Sequence, residues 1–303
     1  MQVKVAVVLN GISLEKDNFY RNYFPAISIV CPPQIFETRS ANDAVALASK
    51  AVDKRFDIIF AAGGDGTLNQ VVNGVLQGRE DASNLPAIGV IPIGIGNDFA
   101  RGMEIKNEPA ELTQLIKNFK PTFIDAGIVR FTTKEGKEEQ QYFVNIAELG
   151  MGPEVVRKVL ASDRIFGLAM SYFQAIVATF FTHSAVEVKL VADQWQWQGK
   201  LRTLAIANSK YLGHGLCIAP HAIPDDGIFE AVVYGKVSLF DFLRHSSTLK
   251  QGKKVEHPEV TYRQVRRIAM TSTTECPIEA DGELLGWLPA SVEMLPRKLK
   301  FLI

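Results

Sequence analysis

The sequence predicts an α/β protein in two parts, an N-terminal domain built on a parallel sheet and a C-terminal, antiparallel, β-rich domain. Over roughly the first 125 residues, short apolar runs alternate with helix-period segments, the pattern of βα units. After Asp125, strand-like segments crowd together and only two stretches keep a helical period. Two glycine-rich loops each follow an apolar strand and precede a helix. In a parallel sheet such loops converge on the crevice where ligands bind.

Val3–Leu9, Asp57–Ala62 and Ala87–Ile91 are continuous apolar runs, as expected of strands covered on both faces. Asn42–Val52, Thr67–Leu76 and Pro109–Phe119 read as helices, the last opening on a proline at its first turn. Beyond Asp125 the strand candidates are Gly127–Phe131, Tyr142–Ala147, Val186–Val191, Leu201–Asn208 and Ile228–Val233. Trp195 and Trp197 alternate with glutamines, as on one face of a strand. Val155–Thr182 and Ser238–Gln251 read as helices. The expected domains are therefore 1–125 and 126–297, with 298–303 as a segment returning to the first.

Composition narrows the function. The chain has 303 residues, 47% of them hydrophobic and 22% charged, and its 33 Lys and Arg balance 33 Asp and Glu, which leaves no basic excess for binding nucleic acid. Cys31, Cys217 and Cys276 lie far apart and read as reduced thiols of a cytoplasmic protein. The five histidines show no zinc spacing. The N-terminus runs straight into a strand without a cleavable signal pattern. Ile165–Phe181 is mostly apolar but falls short of the ~20 residues that cross a bilayer. It reads as a buried helix, or as a helix lining a lipid slot near a membrane, with Arg157, Lys158 and Arg164 before it. Transient contact with the inner face of the membrane and assembly as a homodimer are both compatible with the sequence.

The strongest local signal is Gly63-Gly64-Asp65-Gly66-Thr67. Its glycines let backbone amides approach a polyanion, and the helix that follows adds a favourable dipole. Thr67 suits a helix cap or a phosphate contact. Asp65 would repel phosphate directly and makes sense there with magnesium or its water between them. The bland reading is a turn shaped by backbone needs alone. A second loop, Gly94-Ile95-Gly96-Asn97-Asp98, repeats the arrangement, with Asn97 or Asp98 as plain helix caps in the bland reading. The Walker pattern and a strand-linked GxGxxG are absent.

GGDGTLNQVVNG followed by PIGIGNDFARG resembles the catalytic domain of the diacylglycerol kinase and bacterial soluble lipid kinase family. NSKYLGHGLCIAP, Asp225-Asp226-Gly227 and Asp281-Gly282-Glu283 follow in the family's order, so the resemblance spans nearly the whole chain. It implies an α/β nucleotide-binding domain plus a β-rich domain for lipid and metal, with ATP as phosphoryl donor, magnesium as cofactor and a lipid alcohol as acceptor. It makes Gly63, Gly64, Asp65, Gly66, Thr67, Leu68 and Asn69 the phosphate loop, with Gly94, Gly96 and Asn97 in the second loop. Asn10 and Thr38 are implied as further nucleotide contacts. Asp65, Asp98 and Asp125 correspond to the acidic residues that organise magnesium and water, Glu283 to the general base and Asp281 to its acidic neighbour. Asp226, with carbonyls near Ile223 and Ile228, corresponds to a separate structural magnesium site.

The chain departs from the family pattern at three places. Asn10-Gly11-Ile12-Ser13-Leu14 stands where the family has Asn-Pro-x-Ser-Gly. Ile95 stands where a threonine is usual, and His214 interrupts a run of three glycines as a turn residue. The competing readings are a soluble-substrate kinase of the NAD kinase type and a non-catalytic nucleotide or lipid binder. The second loop and the DGE triplet oppose the first, and the retained acidic residues oppose the second.

Overall fold

The computed structural model describes residues 3–79, 84–94, 96–162 and 167–303. The chain forms two compact units, one of Met1–Asp125 with Arg297–Ile303, the other of Ala126–Pro296. It passes from the first to the second within the strand Thr122–Thr132 and back within the strand Glu283–Phe301.

In the first unit the strands run in the order Gln34–Glu37, Val5–Leu9, Ile58–Gly63, Ala87–Pro92, all parallel. Phe301 joins the Ala87–Pro92 edge in parallel opposite Ile88, and the Leu302 amide donates to the Ile88 carbonyl at 2.8 Å. Every residue of the three strands from Val5, Ile58 and Ala87 is buried, as a sheet covered on both faces requires. Helices Asp43–Asp53, Asp65–Leu76 and Pro109–Asn118 fall on the predicted segments.

The helical stretch Lys16–Asn18, Phe19–Tyr23 and Phe24–Val30, like the edge strand Gln34–Glu37, was not legible in the sequence. Its middle piece is a π turn, which shifts the phase of the helical repeat. Phe19, Tyr23 and Ile27 nevertheless point inward at successive spacings of four.

The second unit is antiparallel. Val260–Val265, Phe229–Tyr234, Thr203–Ala207, Ile146–Gly150 and Pro277–Ala280 lie side by side and end on the strand that starts at Glu283. Arg267–Ser272 pairs with that last strand and with Val186–Ala192, which in turn pairs with Trp195–Leu201. Trp195 and Trp197 pack on the core from one face of their strand.

Three expected single elements are each two. Tyr142–Ala147 contains the end of Glu138–Phe143 and the start of Ile146–Gly150, broken where the amides of Val144 and Asn145 turn to the Asp281 carboxylate. Leu201–Asn208 breaks at Arg202, whose amide donates to the carbonyls of Tyr234 and Gly235. Val155–Thr182 divides into Met151–Leu160 and Leu168–Thr182, the second entered through Gly167 at φ 82°.

The apolar stretch Ile165–Phe181 begins outside the described residues, as does Arg164. No helix among the described residues is long and apolar enough to cross a membrane. In Leu168–Thr182, Ala175, Ile176 and Thr179 are buried, while Met170, Phe173 and Phe181 are exposed. Helix Leu239–Lys250 starts with a capping box between Ser238 and Asp241, and its Phe242 packs on Phe180 at 5.8 Å. Cys31, Cys217 and Cys276 are free and buried.

The helix that carries the first glycine loop is held by a close approach. A Cβ at Gly74 would stand 2.3 Å from the Val45 carbonyl oxygen and 2.8 Å from Ala48 Cβ on helix Asp43–Asp53. Gly74→Ala is therefore expected to lower stability by ~1–3 kcal/mol in urea denaturation. An unchanged midpoint would refute the tight helix pair.

Candidate active site

In the first unit the two glycine loops are built against each other. The Gly94 amide donates to the Gly63 carbonyl at 3.0 Å. A Cβ at Gly94 would lie 2.2 Å from Gly64 Cα, so only glycine permits this approach. Asn97 sits at φ 54° and its Nδ2 donates to the carbonyls of Pro92 at 3.0 Å and Gly94 at 2.7 Å, closing the second loop on itself. Asp65 ties the loops together. Its Oδ2 accepts the Asp98 amide and its Oδ1 the Phe99 amide, both at 3.0 Å. The carboxylate thus satisfies two orphan donors at the start of the short helix Asp98–Gly102.

Asn10 and Thr38 follow directly on the neighbouring strands Val5–Leu9 and Gln34–Glu37. The Asn10 amide donates to the Ala62 carbonyl at 2.9 Å, and the Gly11 amide donates to the buried Thr38 hydroxyl at 3.0 Å. Thr67 Oγ1 lies where a Cβ at Gly63 would come within 2.3 Å, so Gly63 and Thr67 are packed together. Leu68 and Asn69 are buried in the helix, and Asn69 Oδ1 accepts from Asn73 Nδ2 at 3.1 Å. Asp98 is buried and its Oδ1 accepts from Arg101 Nη1 at 3.1 Å. Asp125 is fully buried, and its Oδ1 accepts the Arg297 amide at 2.6 Å, which anchors the returning chain. Ile95 lies outside the described residues.

A Cβ at Gly96 would lie 3.0 Å from Asp65 Oδ2 and 4.0 Å from Asp98 Oδ2, so these two carboxylates flank the second loop. Among the described residues no three His, Cys, Asp or Glu side chains gather as a metal-holding group. The pair still suits magnesium, a hard cation that takes one or two protein carboxylates when phosphates and water supply its other ligands.

In the second unit the DGE turn is held by its aspartate. Asp281 sits at φ 51° and Gly282 at φ 83°. The Asp281 carboxylate accepts three amides, from Val144 at 3.0 Å, Asn145 at 3.0 Å and Ile146 at 3.1 Å. The Gly282 amide donates to Glu279 Oε2 at 2.8 Å, and half-buried Glu283 opens the next strand. Asp281 therefore shapes the turn that presents Glu283. Ile223, Asp226 and Ile228 share one tight turn, in which Asp226 Oδ1 accepts the Ile228 amide at 3.0 Å and Gly227 takes φ 75°. Gly213, His214 and Gly215 are all left-handed, at φ 60°, 66° and 95°, so His214 is a turn residue between Tyr211–Leu212 and Leu216–Cys217.

The second unit holds a cavity of about 150 Å³ walled by Val155, Tyr172, Ile176, Phe180, Phe242 and Leu249, so the stretch Ile165–Phe181 does line a slot, but the other walls were not read from the sequence. Gly282 of the DGE turn lines it too. So do Glu148 and Glu279, which stand directly opposite each other on neighbouring antiparallel strands, both buried. Burial pushes the Glu148 carboxyl up to about 7, while burial and the adjoining Glu148 hold Glu279 well above the usual carboxylate range. The available signal was a lone glutamate inside each of two apolar strand runs, Ile146–Gly150 and Pro277–Ala280.

The chain thus pairs a doubly looped parallel-sheet unit with an antiparallel unit that holds an acidic turn and an apolar cavity. Residues 4–129 match the diacylglycerol kinase catalytic domain, and residues 146–303 match the YegS C-terminal NAD kinase beta sandwich-like domain. A diacylglycerol kinase of Staphylococcus haemolyticus is 29% identical over 88% of this chain and 76% of its own length. One from Staphylococcus saprophyticus is 27% identical over 84% and 80%. A solved diacylglycerol kinase structure from Bacillus anthracis has a TM-score of 0.69 at 20% identity, covering 99% of this chain and 96% of that one. Two further solved structures from that organism reach 0.76 and 0.75 at the same identity and coverage. The chain belongs to the diacylglycerol kinase-like family of kinases with a YegS-type C-terminal domain.

Asp281→Asn exchanges an acceptor of three amides for a group with a single acceptor oxygen, which can keep the two amides now on Oδ1 but sets a new NH2 donor against the third and leaves that buried donor unpaired. Stability in urea is expected to fall by ~2–4 kcal/mol. A midpoint within error of wild type would show that the three bonds do not hold the turn.

Proposed function

We propose that this protein is an ATP-dependent lipid kinase that transfers the γ-phosphoryl group to the hydroxyl of a diacylglycerol-like lipid. The observation that carries the reading is the apolar cavity lined by Gly282 of the DGE turn, because a soluble, polar acceptor gains nothing from walls of Ile176, Phe180 and Leu249. The diacylglycerol kinases among the relatives support the same acceptor class.

In this reading the two glycine loops cradle the nucleotide phosphates through backbone amides. Helix Asp65–Leu76 contributes the favourable end of its dipole, with Asn10 and Thr38 as flanking contacts. Leu68 and Asn69 act by holding that helix in place, since both side chains are buried. Magnesium held near Asp65 and Asp98 would supply neutralisation of the charge that builds on the phosphates during transfer. Asp125 positions the chain through its bond to Arg297. Asp226 with the backbone at Ile223 and Ile228 would hold a second, structural cation.

Glu283 takes the proton from the acceptor hydroxyl as it attacks. Glu283 offers a carboxylate for this task, and His214 is occupied in a turn. Met170, Phe173 and Phe181, exposed on a helix whose other face lines the cavity, support transient contact with a lipid surface during loading.

Purified protein with labelled ATP, magnesium and a panel of lipid alcohols plus NAD tests the reading. Labelled lipid is expected, and Glu283→Gln is expected to lower turnover by ~10²–10⁴-fold with nucleotide affinity unchanged. Label in NAD alone, or wild-type turnover by the variant, would overturn it.

A further inference from the structure

Asp281 and Gly282 form a two-residue turn between paired strands, since Ala280 stands opposite Glu283. Both turn residues take positive φ, 51° and 83°, the backbone that closes a tight hairpin. The amides of Val144, Asn145 and Ile146 hold the Asp281 side of that turn. On the other side the Gly282 amide, one residue before Glu283, donates to Glu279 Oε2 at 2.8 Å. Glu279 pairs with Leu284 directly after a register shift at Ile278, so it stands one pair behind the turn.

Glu279 holds the Gly282 amide only if its own side chain is fixed, and Glu148 fixes it. The two stand opposite each other on neighbouring strands, Glu148 at 9% and Glu279 at 4% exposure, and Glu279 donates to Glu148. Glu148 is in turn wedged against helix Met151–Leu160. A Cβ at Gly152 would lie 2.6 Å from Glu148 Oε2 and 2.8 Å from Glu148 Cβ. A hydrogen bond between two carboxyls needs a proton on one of them, because two buried like charges opposed in this way repel.

The groups around the pair have other partners. Asp281 accepts its three amides, and the Thr203 hydroxyl, beside Glu148, donates to the Leu149 carbonyl at 2.9 Å. Tyr234 lines the same cavity wall and donates to Tyr262. Arg202, the cation of that wall, donates to the His183 carbonyl with its guanidinium 5.2 Å from the Phe180 ring centre. Across the cavity Asp241 stands 3.6 Å from His257 Nε2, and His257 rests against His245. On helix Met151–Leu160, Glu154 pairs with Arg157. Among the described residues neither Glu148 nor Glu279 forms an ion pair with Lys, Arg or His.

We propose that Glu279 is a positioning residue for Glu283 and works as a neutral carboxyl, one oxygen accepting the Gly282 amide and the other donating to Glu148, so that the turn presenting the base is locked. The proposal rests on the reading of Glu283 as the base. The shared proton is part of the brace. Both carboxyls keep protons in the fold where an unfolded chain has released them, Glu148 up to about 7 and Glu279 well above the usual carboxylate range. The brace is therefore complete at neutral and lower pH, and is lost as rising pH takes the last proton. Glutamine carries one acceptor and one donor group on the same frame, so it reproduces the neutral carboxyl and does not titrate.

Turnover with a lipid acceptor, and amide exchange of residues 279–284 read by mass spectrometry, test this on the whole chain from about pH 6 to about pH 9. Glu279→Leu, which can neither accept nor donate, is expected to lower kcat by ~10²-fold with KM for ATP unchanged, and to remove amide protection at every pH. Glu279→Gln is expected to restore both. Wild-type kcat and protection are expected to fall toward the alkaline end, while the glutamine variant keeps them there. Glutamine as damaging as leucine would overturn the proposal, and so would an alkaline fall that the wild type lacks or the glutamine variant shares. If Glu279→Leu does not fold, the comparison of wild type with Glu279→Gln carries the test by itself. Amide protection is read without ATP or lipid. The expected protection pattern in a protein that phosphorylates no lipid would sink the kinase reading alone. Lipid phosphorylation by Glu279→Leu at the wild-type rate would sink the positioning role alone.

Discussion

The Asp65 carboxylate spends both oxygens on backbone amides that open the helix after the second glycine loop. The approach of Gly94 to Gly64, the Gly94–Gly63 hydrogen bond and the left-handed Asn97 follow from the same constraint, since each needs the loops in backbone contact. A neutral side chain would hold that contact less firmly, because hydrogen bonds to an ionised acceptor are about twice as strong as neutral ones. The acidic residue in the first glycine loop therefore has a local reason to be there. Its charge is partly satisfied by the amides before any cation arrives.

The second unit uses the same device on a larger scale. Asp281 takes three amides that would otherwise continue a strand, and in doing so breaks the chain between Phe143 and Ile146 and fixes the left-handed turn before Glu283. Glu279 braces the other side of that turn through Gly282 and faces the cavity with its remaining oxygen and Glu148. The cavity and the proposed base are thus linked through one short stretch, Glu279 to Glu283.

Much of this was legible in the sequence because it is local. Glycines between an apolar run and a helical period mark a loop over a strand end, and the parallel strands at Val5, Ile58 and Ala87 lie within one residue or two of where apolar continuity puts them. What was missed depends on partners distant in the chain or on phase. The break at Val144 and Asn145 is set by a carboxylate 137 and 136 residues away. The Glu148–Glu279 pair exists only through strand register. The helical stretch from Lys16 to Val30 hides its repeat behind a π turn. The glycine loops were legible as turns over strand ends, but the spacing of motifs does not tell a carboxylate that meets a ligand from one that holds a turn.

The central claim is that the two glycine loops act as one phosphate cradle because Asp65 ties them. Titration of wild-type protein and Asp65→Asn with a magnesium complex of a non-hydrolysable ATP analogue tests it most directly. The amide can accept at only one oxygen and presents a donor to the second backbone amide, so the tie is broken while size is kept. Nucleotide affinity is predicted to fall by about ten-fold or more, the equivalent of one lost hydrogen bond to a charged group. Equal affinity in the two proteins would contradict the account.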